Sequence, residues 1–305
     1  MPAQRLHRVA FILLLASLLG GCTDSDWYKQ QVAKQKQAQD PYAHLPNNPP
    51  AEGSCVGWQR NLAHGVQIYE IESCLYQQLR EDRTAAIADA NALSAWHIRS
   101  QPGSELKALI ATLVQFPQPG SLQAYLNELG LLPNPPGEYN DLNNAVTAID
   151  YLREMGNSVW FDAETGVYPN QHDYLMASIV DSTDLAATEF SETPPGLDAS
   201  YDVPYQLEAS INGKTYQQEA RNLGDWYDLE AVLTLLNQLA VDQDSQYRFV
   251  LLPTGDQTAI VWAANADALN TLLAKQLIEL SPAELSLATG KAFEQAVQTQ
   301  YGAVE

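Results

Sequence analysis

The apolar residues of this chain change period at Gly156, from helical spacing before it to strand-like alternation after it. A repeat of 3.6 residues and a repeat of two do not fit the same kind of element, so the change restricts the chain to a mixed α+β architecture and marks its most defensible domain boundary. Upstream, Ile68, Ile71, Leu75 and Leu79 recur at three- and four-residue steps, and Ile87, Ala90, Leu93 and Ile98 continue that face until Pro102-Gly103 breaks it. Leu106, Leu109, Ile110, Leu113 and Val114 predict the next helix, stopped by Pro117 and Pro119. A shorter one follows over Leu122, Tyr125, Leu126 and Leu129, with Gly130 at its C-cap. Residues 133–137 separate it from a helix through Leu142, Val146, Ile149 and Leu152. Residues 55–156 therefore read as a helical region resembling a small bundle, without the fixed period of a repeat solenoid.

Downstream, Val159-Trp160-Phe161 reads as a short strand and Ala163-Glu164-Thr165-Gly166 as a turn. His172 to Val180 predicts a helix with Asn170 as its cap, and the acidic stretch 184–204, which holds Pro194-Pro195-Gly196, reads as a surface loop. Tyr205, Leu207, Ala209 and Ile211 then alternate with polar residues, and Asn212-Gly213 supplies the two positive-φ positions of a type I′ turn before residues 215–220 return. A helix follows through Leu229, Val232, Leu233, Leu236 and Leu239, capped by Asp225 or Asp228. The order repeats with a strand over 247–252, a Thr254-Gly255-Asp256-Gln257 turn, a strand over 258–262, and a helix through Leu269, Leu272 and Leu273. Two hairpin-helix (ββα) units in residues 157–305 imply a four-stranded antiparallel sheet with helices on one face. Ser281-Pro282-Ala283-Glu284 has the form of a capping box and opens a terminal helix.

The amino end has a different grammar. Arg5 and Arg8 precede an uncharged apolar run from Val9 to Leu19, too short to span a bilayer and suited to a signal-peptide core. The run leads into Leu19-Gly20-Gly21-Cys22, which resembles the lipobox of bacterial lipoprotein signal peptides. That resemblance implies removal of residues 1–21, a thioether-linked diacylglyceryl group on Cys22, and acylation of the new amino terminus. Several acyl chains anchor a protein stably where a single one does so only marginally. Thr23, not Asp, follows the cysteine, which in the enterobacterial sorting pattern implies the outer membrane, facing the periplasm. Residues 23–54 read as a tether, because Lys29 to Gln39 has almost no apolar face and Pro46-Asn47-Asn48-Pro49-Pro50 cannot continue a helix. As a coil it would span roughly 30 Å r.m.s..

The lipobox resemblance commits Cys22 to lipid and leaves Cys55 and Cys74 as an even pair. In an oxidising compartment that suggests a disulfide, which for a loop of this size is worth about 3 kcal/mol in the chain-entropy model. His64 lies between the two cysteines as the base a catalytic thiol would want, but oxidation competes with that use. Loss of Arg5 and Arg8 with the leader leaves 14 basic against 37 acidic residues, so the formal charge of −21 becomes −23. Such a chain repels nucleic acid and anionic head groups and favours cationic partners.

Two polar segments carry most of the chemistry. Gly224-Asp225-Trp226-Tyr227-Asp228 places two acids and two aromatics before a helix, and Asp256 and Gln257 sit in the corresponding turn of the second hairpin. As a binding patch, Trp226 and Tyr227 would be rigid anchors and the acids partners for Lys or Arg. The alternative assigns Asp225 or Asp228 to a cap, Trp226 to the core and Asp256 to an Asx-turn. His172 beside Asp173 follows the acidic turn of Asp162 and Glu164, where a lone His near a helix start is usually a cap or surface residue. His44 lies in the tether and His97, like His64, on a helical stretch, none at ligand-like spacing. There is no EF-hand, His-Glu-x-x-His, Gly-x-Ser-x-Gly, P-loop or dinucleotide motif, so neither a catalytic residue nor a metal or other cofactor is assigned. The expectation is a lipid-anchored envelope protein that binds or protects, in its specific form an immunity-type protein for a basic toxin. The rival is a hydrolase of an envelope polymer using Asp225, Asp228, Asp256 or His172.

Overall fold

The structure is a computed structural model and describes residues 55–57, 68–95, 105–132, 145–155 and 157–301. The lipobox, the tether, His44, His64, His97, Ile98, the breaks at 102–103 and 133–137, Leu142 and Gly156 lie outside these residues. The fold is α+β with two small antiparallel sheets.

The first long apolar run forms two helices, α1 (Ile68–Glu81) and α2 (Arg83–Ala95). Asp82 divides them, its carboxylate accepting the N–H groups of Thr84 and Ala85 at 3.0 and 3.2 Å, as an N-cap does. With α3 (Leu106–Gln115) they bury Ile71, Leu75, Ala90, Leu93, Leu109 and Leu113 in one apolar cluster. Each fully buried leucine there contributes on the order of 2 kcal/mol. Cys55 and Cys74 are joined by a disulfide, which ties the 55–57 turn to α1. The N–H of Cys55 donates to buried Asp89 at 2.7 Å, fixing the same turn to α2.

The core does not divide where the period changes. Helices α4 (Ser121–Glu128) and α5 (Ala148–Met155) bury Leu122, Leu126, Ile149 and Leu152 in the cluster that also holds the strands. Strand β1 (Ser158–Asp162) and helix α6 (His172–Val180) follow as the sequence predicts. The stretch read as a loop contains a strand, β2 (Glu189–Thr193), which pairs with β3 (Tyr205–Ile211). Its sequence hides it, because Phe190 is its one large apolar residue and it is an exposed edge. Strand β3 turns at Asn212 and Gly213, both at positive φ (51° and 74°), into β4 (Lys214–Ala220), as the type I′ turn requires.

Helix α7 (Leu229–Asp242), strands β5 (Tyr247–Leu252) and β6 (Thr258–Asn265), and helices α8 (Ala266–Ala274) and α9 (Ala283–Tyr301) complete the chain. Both hairpin-helix units form, but their hairpins do not share a sheet. β1 adds to the second hairpin in the order β1-β6-β5, and β2 to the first in the order β2-β3-β4. Helices α6 and α7 each pack against strands of both sheets. The β2-β3-β4 sheet alternates buried and exposed along β3, so it is covered on one face. Residues 249–252 and 259–264 are buried without alternation, the pattern of a sheet covered on both faces. Buried Asn237 of α7 donates to the Phe249 carbonyl at 2.8 Å and accepts the Phe249 N–H at 2.9 Å, which closes the free edge of β5.

Candidate functional site

The two polar segments meet across the turn that follows β1. Ala163 donates its N–H to the Gln257 carbonyl at 3.0 Å and accepts the Tyr227 N–H at 3.1 Å, so one residue joins the 224–228 segment to the 254–257 turn. Thr165 fastens the same junction, its N–H donating to the Asp225 carbonyl at 2.7 Å. Asn170 does not cap α6. Its buried amide donates to the carbonyls of Gly224 and Trp226 at 3.1 and 2.8 Å and accepts from the Thr165 hydroxyl at 2.7 Å. One side chain thus locks the loop between β1 and α6 to the 224–226 segment, with both amide N–H groups and the oxygen bonded.

The aromatics divide between core and surface in a way the sequence does not show. Trp226 is 4 % exposed and lies under α9, with Lys291 Nζ 5.7 Å from the ring centroid. It therefore fills the core, as the structural alternative holds, and presents only an edge to the groove beside Asp225. Half-buried Tyr227 packs edge-on against Phe161 and His172. The exposed ring beside Asp225 is Tyr201, 75 % accessible, which lines an open groove of about 600 Å³ together with Gly224, Trp226, Lys291 and Glu294 among others. Nothing in its sequence neighbourhood marks Tyr201, because an exposed loop residue leaves no periodic signature.

Asp228, not Asp225, caps α7, accepting the Ala231 N–H. Burial alone would raise its pKa, but the bonds from the Arg221 side chain at 2.8 and 2.9 Å and from the Arg221 N–H hold the carboxyl below the usual range. Asp256 forms the expected Asx-turn, its Oδ1 accepting the Thr258 N–H at 2.8 Å. The Gln257 side chain donates to Asp162 at 2.9 Å.

His172 is fully buried, which corrects its reading as a surface or cap residue. Nε2 lies 3.3 Å from the Asp228 N–H as its acceptor, which leaves Nδ1 to donate to Glu192 at 3.2 Å. The ring is enclosed by Tyr205 and Tyr227 at 4.6 and 5.2 Å between centroids. His172 and Asp228 are therefore committed to holding α6, β2 and α7 together. Asp225 fronts the Tyr201 groove, whereas Asp256 lines a separate one beside Trp160. None of the described grooves holds more than one of the four residues offered for a hydrolase.

What the junction does assemble is a group of acidic side chains. The Glu164 carboxyl is pushed up by burial and then by Glu294, Asp225 and Asp162 around it. Like charges gathered at one surface favour a cationic ligand over an anionic one. Among the described residues, no group of three or more His, Cys, Asp or Glu side chains could hold a metal ion, and no helix is long and apolar enough to cross a membrane. No family model matches the chain, and no curated protein or solved structure is significantly similar to it.

Proposed function

We propose that this chain is a lipid-anchored envelope protein, held on the periplasmic side of the outer membrane through Cys22, whose folded part binds a cationic protein partner. The observation that carries the binding half is the groove in which exposed Tyr201 stands beside Asp225 and Glu294. An accessible tyrosine offers a large contact area at low entropic cost, and carboxylates at its margin select for Lys or Arg. An immunity-type protein that blocks a basic periplasmic toxin is the specific form of this reading, supported by the charge of −21. The lipobox resemblance supports the anchor, and the polar stretch 23–54 supplies reach away from the membrane.

Two measurements test the halves separately. Metabolic labelling with a palmitate analogue is expected to mark the wild type and not Cys22→Ala; equal label in both removes the anchor. Affinity capture from envelope extracts is expected to enrich basic proteins, with recovery lowered by Tyr201→Ala and Asp225→Asn and by added salt. Equal recovery by both variants would count against the groove.

A further inference from the structure

The second groove, alongside β1, holds about 420 Å³ and is lined by Trp160, Arg153, Glu154, Thr254 and Asp256 among others. Trp160 is 66 % exposed, although Val159 and Phe161 on either side pack against the core. The protein treats two other rings differently: Lys291 lies over Trp226 at 5.7 Å and Lys275 over Tyr125 at 5.5 Å. Among the described residues, Trp160 has no such cation of its own.

The charges beside it point the same way. Arg153 Nη2 donates to Glu105 at 2.9 Å and to the Pro253 carbonyl at 2.7 Å, so that end of its guanidinium is held by the protein, while its Nε is buried without a partner. Glu154 is exposed, and Asp256 uses Oδ1 for its own turn, which leaves the second oxygen to accept. An exposed indole that shares a groove with two carboxylates and one partly engaged arginine offers the chemistry that receives an ammonium or guanidinium group. A neutral sugar could stack on the ring, but it would leave both negative charges uncompensated.

We propose that the Trp160 groove seats a lysine or arginine side chain of a protein partner, with the indole as platform and Glu154 and Asp256 as counter-charges. This rests on the reading that the partner is cationic and adds a second, separately testable contact to the Tyr201 groove.

The probe is the pentapeptide Gly-Arg-Gly-Arg-Gly, titrated into the ¹⁵N-labelled exported chain at physiological salt, with its glutamine counterpart as control. The six indole N–H resonances are followed, and Trp160→Phe identifies the one that belongs to Trp160. The arginine peptide is expected to shift that resonance and the glutamine peptide is not. Trp160→Leu should weaken binding by roughly 3- to 30-fold at unchanged charge, and Glu154→Gln and Asp256→Asn by smaller factors. Both amide variants keep an acceptor oxygen, at an exposed position for Glu154 and a half-buried one for Asp256, so an unchanged Tm separates lost binding from lost folding. No shift in the wild type, undiminished affinity in Trp160→Leu, or a matching shift with an N-acetylglucosamine trimer overturns the proposal. If Asp225→Asn loses the envelope partner while Trp160→Leu binds the peptide normally, the Tyr201 reading stands and this inference fails. The opposite pattern removes the Tyr201 reading and leaves the Trp160 site.

Discussion

A glycine inside a helix costs up to about 1 kcal/mol relative to alanine, so Gly290 in α9 needs a reason. A Cβ there would stand 2.7 Å from both Cη2 and Cζ3 of Trp226 and 3.0 Å from the Gln257 Cα. Neither neighbour can yield cheaply, because the ring is buried and the other atom is backbone held at the Ala163 junction. Gly290→Ala should therefore lose more to overpacking, about 1–3 kcal/mol, than it gains in helix propensity. The expected net result is a lower Tm in a thermal melt. Gly255→Ala, which meets nothing within 4 Å, should change stability by less than about 0.5 kcal/mol. A higher Tm for Gly290→Ala would mean that α9 does not lie so closely on Trp226. The sequence shows a solitary glycine in a helical pattern, which is a sign of close approach, but the partner 64 positions away has no local signature. Asn170 is obscure for the same reason: its type suits a cap, and only the arrival of the 224–226 segment gives it a better use.

At the scale of elements, what was legible depended on whether the determining interaction was local. The β3–β4 hairpin is written in consecutive residues, with alternation leading into Asn212-Gly213, and so is the helix that Asp228 caps. Strand β2 is defined by its pairing with β3, which nothing within its own five residues announces. Sheet membership is likewise a matter of long-range pairing: β1 joins β6 at a sequence distance of about a hundred residues and draws the second hairpin away from the first. The disulfide is the long-range contact that residue type did disclose, and its placement gives an element-scale prediction. It closes a loop of sequence separation 19 within the α1–α3 cluster, which is separate from the core of α4, α5 and the strands. Reduction, or Cys55→Ser with Cys74→Ser, should cost the α1–α3 unit about 3 kcal/mol. Hydrogen exchange read by mass spectrometry is expected to quicken in α1–α3 and to leave β5 and β6 nearly unchanged. Uniform acceleration across the chain would show instead that the two clusters unfold as one.

Over the whole molecule, the two cores are linked by charges whose protonation gives stability an uncommon pH dependence. Glu105, at the start of α3, accepts from Arg153 of α5, which also holds the Pro253 carbonyl beyond β5. Burial, reinforced by Asp150 and Glu72 and only partly offset by Arg153, pushes the Glu105 carboxyl up to about 7. An unfolded chain would release that proton near pH 4.5. Between those values the folded state binds more protons than the unfolded one, so this group makes stability fall as pH rises from about 4.5 to 7. Asp228 acts in the opposite sense, its lowered pKa giving stability that is present above the ordinary Asp range and lost below it. Together the two groups favour a maximum in mildly acidic solution. The net charge of −21 points the same way, since partial protonation relieves its self-repulsion, but the two causes respond differently to salt. Surface repulsion is screened at high ionic strength, whereas a buried carboxyl is screened much less. In 0.5 M NaCl, then, denaturant unfolding should still give a chain less stable at pH 8 than at pH 5.5, by an amount on the order of 1–3 kcal/mol. Glu105→Gln keeps an oxygen for Arg153 and cannot ionise, so it should remove most of that difference. If the variant retains the full pH dependence, the link between the cores is not what titrates, and if salt abolishes it in the wild type, global repulsion is the cause.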